Sequence, residues 1–103
     1  MDVKLYKENH TLKAVLTGQL SGNDAFSWYN VIADQLEDDV TRVVLNLDGV
    51  TYLTSASLRG VILLLKEMNL RDGELILEDP QDPVMEILEL AGMAKFLDIR
   101  KTR

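Results

Sequence analysis

Apolar and polar positions alternate over two opening stretches of the chain, first through Val3, Leu5 and Tyr6, then through Leu12, Ala14, Val15 and Leu16. Alternation with a period of two predicts half-buried strands, and Glu8-Asn9-His10 between them predicts a hairpin turn. Gly18 to Asn23 is polar and glycine-bearing, and predicts a loop. The period then lengthens. Ala25, Tyr29, Ile32 and Leu36 recur at helical spacing behind an N-cap at Ser21 or Asn23, with Asp24 in the first turn and Glu37-Asp38-Asp39 at the end. Val43, Val44, Leu45 and Leu47 form a buried strand from Arg42, stopped by a turn at Asp48-Gly49. A helix from about Ser55 to Leu70 follows, with Leu58, Val61, Ile62 and Leu65 on one face and Gly73 as its stop signal. Leu75 to Leu77 reads as another buried strand. Asp82-Pro83 supplies an N-cap and a proline for the first helical position, Val84, Ile87, Leu88 and Ala91 make the stripe, and Gly92 ends it. Phe96, Leu97 and Ile99 suggest a short last strand.

The predicted order is β-β-α-β-α-β-α-β, an α/β fold. Strands alternating with helices require a largely parallel sheet, with the first strand antiparallel at an edge. The expected core is Val44, Leu45, Leu47, Leu58, Val61, Ile62, Leu65, Leu75, Leu77, Ile87 and Leu88. Trp28, near Phe26 and Val31, is read as core rather than as part of an apolar patch.

Composition narrows the choice of function. A length of 103 residues suits one domain spanning 1–103, and 47% hydrophobic with 27% charged residues is the balance of a globular protein. With no cysteine, a disulfide framework, a thiolate zinc site and a cysteine nucleophile are all excluded. The start, Met1-Asp2-Val3-Lys4, lacks a signal-peptide profile, and the longest apolar run, Val61 to Leu65, is too short to span a bilayer, so a cytoplasmic location is expected. A net charge of −6 disfavours nucleic acid and favours a basic protein surface as partner. Arg100, Lys101 and Arg103 read as a solvated tail. The single histidine, His10, falls in a turn, and the acidic stretches Glu37-Asp38-Asp39 and Glu78-Asp79-Pro80-Gln81-Asp82 lack calcium-loop spacing and read as solvated helix ends. Gly18 and Gly22 form no nucleotide-binding fingerprint. Neither cofactor nor metal is expected, and catalysis is disfavoured because no base accompanies the candidate serine.

The chemistry concentrates at Thr54-Ser55-Ala56-Ser57, where hydroxyls meet a helix N-terminus whose free N–H groups and dipole suit an anion. Ser55 could serve simply as the N-cap. The segment VVLNLDGVTYLTSASLRGVILLLKEM resembles the centre of STAS domains of the anti-sigma-factor-antagonist type, and AVLTGQLSGNDA, GELILED and VMEILELAGMAKFLDI resemble other parts of that family, so that nearly the whole chain is covered. The resemblance implies a mixed sheet with helices mainly on one face. It puts Ser55 at the phosphorylated position, with Thr54 in place of the family Asp, Ser57 in place of Gly, Arg59 after the family Leu, and Ser21 in place of a loop Asp. It further implies a binding surface of Gln19, Ser21, Asn23, Tyr52, Thr54, Ser55, Ser57 and Arg59. The partners implied are a serine-kinase-type anti-sigma factor and a Ser/Thr phosphatase. A second implied role is that of a constitutive subunit or scaffold in an ABC lipid-transport or stress-signalling complex.

Overall fold

Strand β1 (Asp2–Glu8) turns at Asn9-His10 into β2 (Thr11–Leu20); then come α1 (Asp24–Ala33), β3 (Arg42–Leu53), α2 (Ser55–Leu70), β4 (Glu74–Glu78), α3 (Asp82–Leu90), a 3₁₀ turn (Ala94–Phe96) and β5 (Asp98–Arg100). The structure, a computed structural model, describes residues 2–22 and 24–102. The sheet runs β1-β2-β3-β4-β5, with β1 antiparallel to β2 and every other pair parallel. This is the mixed α/β architecture that the patterning predicts.

All three helices bury side chains in one cluster against the same sheet face. Leu12, Ala14 and Leu16 of β2, Val43, Leu45 and Leu47 of β3 and Leu75 and Leu77 of β4 meet Trp28 and Ile32 of α1, Leu64 and Met68 of α2, and Val84 and Leu88 of α3. Because side chains alternate across a strand, the opposite face carries Lys4, Tyr6 and Glu8, then Thr11 and Lys13, Arg42, Val44 and Asn46, Glu74, Ile76 and Glu78, and Asp98 and Arg100. Ion pairs cover that face: Lys13–Glu78 at 3.1 Å, Arg42–Glu74 at 2.6 Å and Arg100–Asp98 at 2.9 Å. Val44 and Ile76 are buried beneath them rather than in the helix-side core.

Several boundaries move, each for a local reason. β2 continues to Leu20, so the connection to α1 is shorter than Gly18 to Asn23. β3 runs through Asp48-Gly49 to Leu53, because that pair is a bulge and not a turn. The register passes from Val15↔Asn46 to Thr17↔Gly49, leaving an extra residue on β3, and the Asn46 side chain accepts the Asp48 N–H at 3.2 Å. A Cβ at Gly49 would lie 2.7 Å from Thr17 Cγ2, which is why the bulge takes glycine. The buried face of α2 is Ser57, Gly60, Val61, Leu64 and Met68. Leu58 and Leu65 pack against the core only in part, and Ile62 is half-buried outside the cluster. With Val61 to Leu65 apolar all round, composition leaves the phase open, and the close crossing of α1 decides it. A Cβ at Gly60 would lie 2.7 Å from the Trp28 ring.

The α3 cap is Gln81, one residue before Asp82, and past α2 it is Asp72, not Gly73, that takes a left-handed φ of 54°. Leu36 lies beyond α1 but still packs on the core, as Ile87 does in α3. Phe96 is exposed in the 3₁₀ turn, so the last strand is only Asp98–Arg100. The acidic stretches are more structured than solvated helix ends. Asp39 bonds Lys7 at 2.8 Å, Glu78 accepts from Asn46 at 3.0 Å, and Asp79 takes the Thr102 N–H at 2.6 Å. Arg100 belongs to β5 and Thr102 is held just after it; Arg100 and Lys101 are exposed, as the tail reading expects, and Arg103 lies outside the described residues.

Candidate functional site

The end of β3 delivers Leu53 into the core, and Thr54 turns the chain into α2 as its N-cap, with φ −98° and ψ 169°. Thr54 Oγ1 accepts the Ser57 N–H at 3.4 Å and donates to the Leu20 carbonyl at 3.1 Å, while the Thr54 N–H reaches the same carbonyl at 3.3 Å. The cap is therefore one residue earlier than Ser55. Ser57, wholly buried, directs its hydroxyl to the carbonyls of Leu20, at 2.8 Å, and Ala25. One O–H serves two acceptors here, so the last residue of β2, the first turn of α1 and the first turn of α2 are pulled onto a single oxygen. Trp28 Nε1 donates to the Ala25 carbonyl as well, at 2.9 Å, under Gly60.

That arrangement divides the three hydroxyls. Thr54 is half-buried and caps the helix, Ser57 is an interior strut and drops out of any contact surface, and Ser55 is exposed. Among the described residues the Ser55 side chain makes no hydrogen bond. Arg59 is exposed four residues on, hence on the same helix face as Ser55. Gln19 and Tyr52 are exposed register partners on adjacent strands, one residue before Leu20↔Leu53, so they emerge on the sheet face away from the helices. Tyr52 is 49% exposed. Ser21 is half-buried in the short β2–α1 connection, and Asn23 lies outside the described residues. The site thus presents one free hydroxyl at a helix N-terminus, an arginine beside it and a tyrosine-bearing rim.

Residues 2–103 match the STAS domain model. The chain belongs to the STAS family. BtrV of Bordetella bronchiseptica, which carries the name of an anti-sigma factor antagonist, is 30% identical over 103 residues, an alignment covering all of this chain and 89% of BtrV. The fold superposes on the anti-sigma factor antagonist SpoIIAA in its unphosphorylated form with a TM-score of 0.85 at 17% identity, over 99% of this chain and 89% of that one. Against the phosphorylated form of the Bacillus SpoIIAA the TM-score is 0.78 at 16% identity, over 99% and 92% of the two chains.

Outside this site, among the described residues, a cavity of about 330 Å³ opens between Tyr6, Glu8, Asn9, Thr11 and Lys13 on the helix-free face. His10, in the hairpin turn, is exposed with its Nδ1 2.9 Å from the Asp39 carbonyl. No helix of the described chain is long and apolar enough to cross a membrane.

Proposed function

We propose that this protein is a phosphorylation-controlled binding module acting as an anti-sigma factor antagonist. The unmodified form captures a serine-kinase-type anti-sigma factor, that partner phosphorylates Ser55, and a Ser/Thr phosphatase resets it. The observation that carries the reading is the division of hydroxyls. Ser55 alone is exposed and carries none of the bonds that hold the loop, so a kinase can take it without unfolding the site. The similarity to BtrV supports the same role.

The physical consequence of phosphate is local. It adds roughly −1.5 to −2 charge at the positive end of α2, where free N–H groups tolerate it, with Arg59 on the same face as a counter-charge. A partner surface resting on Ser55, Tyr52, Gln19 and Arg59 meets that charge directly, and release follows. The net charge of −6 favours a basic partner surface in the unmodified complex. This is a binding role in the cytoplasm, and no chemistry on a substrate is assigned to the chain.

The test is intact-mass and peptide mapping after incubation with the cognate kinase and ATP, together with partner capture by Ser55→Ala and Ser55→Glu. One phosphate on Ser55, absent from a folded Ser55→Ala, and weakened capture by Ser55→Glu are expected. No phosphate at Ser55, with Ser55→Glu bound as tightly as the unsubstituted chain, would turn the reading to a constitutive scaffold.

A further inference from the structure

The two edges of the sheet are finished differently. β5 is three residues long, and the chain just beyond it is clamped when Asp79 accepts the Thr102 N–H and hydroxyl. β1 is seven residues long, pairs with β2 in unbroken register, and among the described residues has no strand on its other side. It contains neither proline nor a bulge, the usual devices that blunt an edge. Lysine is another such device; Lys7 is already engaged, 2.8 Å from Asp39 and 3.5 Å from Glu37, which leaves Lys4 as the one unpaired lysine of β1 among the described residues.

Charge on the helix-free face isolates β1 further. On β2 to β5 six charged side chains of that face pair within the chain: Lys13 with Glu78, Arg42 with Glu74, Arg100 with Asp98. On β1, Lys4 and Glu8 flank Tyr6 on the same face, and among the described residues neither has an oppositely charged group within ion-pair distance. Tyr6 itself is 56% exposed.

We propose that β1 joins two copies of this chain into a symmetric dimer, the strands antiparallel with Tyr6 opposite Tyr6, and Lys4 of each copy opposite Glu8 of the other. Registers that keep both sheets facing the same way pair residues of equal parity, because side chains alternate between faces. Placing Leu5 opposite Leu5 sets Asp2 against Glu8, and placing Lys4 at the centre sets two lysines face to face. A register centred on Lys7 does the same at Lys7. Only the register centred on Tyr6 opposes no like charges while pairing both Lys4 and Glu8 with an opposite charge. Asp2 then falls past the paired stretch, level with the turn residue His10 of the second copy. The result is a continuous ten-stranded sheet joined at β1, two strands from the β3 that leads to Ser55, and the dimer does not rest on the role proposed for Ser55.

The absence of cysteine makes the register directly readable. Directly opposed residues in an antiparallel pair lie about 4.5–5.5 Å apart at Cα, within disulfide range. Under mild oxidation Tyr6→Cys of the full chain should give a disulfide-linked dimer, and Lys4→Cys should not. By sedimentation equilibrium, Lys4→Glu and Glu8→Lys should each weaken self-association by about tenfold or more, and the double reversal should restore it, since opposite charges again face each other across the axis. Circular dichroism checks that each variant is folded. A chain that remains monomeric at millimolar concentration overturns the proposal and leaves the edge to a strand of another protein. A dimer indifferent to both single reversals, or one cross-linked through Lys4→Cys instead of Tyr6→Cys, overturns it equally.

Discussion

The two ends of the sheet are held by different chemistry. At the end where β3 begins, charged side chains span the gaps: Arg71 donates to the carbonyls of Glu37 at 2.8 Å and Val40 at 3.1 Å while reaching Glu67 at 3.3 Å, Lys7 bonds Asp39, and Arg42 bonds Glu74. Around Thr54, where β3 stops, the ties are small and neutral. Two hydroxyls and a backbone N–H converge on the Leu20 carbonyl, and Trp28 wedges beneath Gly60. Among the described residues no ion pair spans this second end. An end knit by neutral groups is fixed in shape but uncommitted in charge, so under the proposed role a charge added at Ser55 would meet the helix terminus and Arg59 rather than an ion-pair network. The same addition at the other end would be absorbed into an existing ionic network. Rigidity without charge is what a phosphate-sensitive docking surface needs.

The sharpest way to break this contrast is Ser57→Ala. It removes two hydrogen bonds to carbonyls that keep Thr54 and Trp28 as donors, and should cost about 1–3 kcal/mol, twice the net worth of one such bond. Ser55→Ala, two residues away and exposed, should stay within about 0.5 kcal/mol, as surface substitutions do. Urea denaturation midpoints of the two variants read the difference directly. Equal effects would mean that the loop does not divide its hydroxyls between folding and surface. Arg71→Ala tests the other end and comes next in size. Hydrogen bonds from a charged donor contribute about 1.5–3 kcal/mol, and solvent contact at Arg71 draws the expected loss toward about 1.5 kcal/mol. Amide exchange after this change should quicken around Val40 to Arg42 and Glu74 and leave Thr54 to Leu58 unaltered.

How much of this was legible beforehand differs between the same two ends. Element order, the hairpin at Asn9-His10 and the bounds of α2 follow from periodicity, because each strand and helix is long enough to display its period. The family segment around Thr54 to Leu58 pointed to the candidate site. What periodicity could not supply was the phase of α2, since five consecutive apolar residues satisfy any phase; Gly60, the one residue that permits the Trp28 ring to approach, was the signal that would have decided it. Nor could local pattern tell a bulge at Asp48-Gly49 from a turn, because both ask for the same residues, and the distinction lies in the partner strand. The strut role of Ser57 rests on Leu20 and Ala25, more than thirty residues away in sequence. Long-range acceptors leave no local trace.

The smallest expected effect separates the ends by pH. Lys7 holds the Asp39 carboxyl below its ordinary value of 3.8, first through their hydrogen bond and then through charge, and the same contact raises Lys7 above 10.5. For the depressed carboxyl, the contribution to stability is fully present above pH 3.8 and is lost as pH falls through its lower folded value. For the raised amine it is fully present below pH 10.5 and is lost as pH rises through its higher folded value. Both groups are exposed, so the effect is slight and screened by salt. Asp39→Asn should therefore lower the urea midpoint a little at pH 7 and converge with the unsubstituted chain once acid has discharged Asp39. Ser57→Ala, acting at the neutral end, should keep the same deficit at both pH values. A Ser57→Ala deficit that vanished in acid, or an Asp39→Asn deficit that persisted there, would show that charge and neutral hydrogen bonding are not divided between the two ends as described.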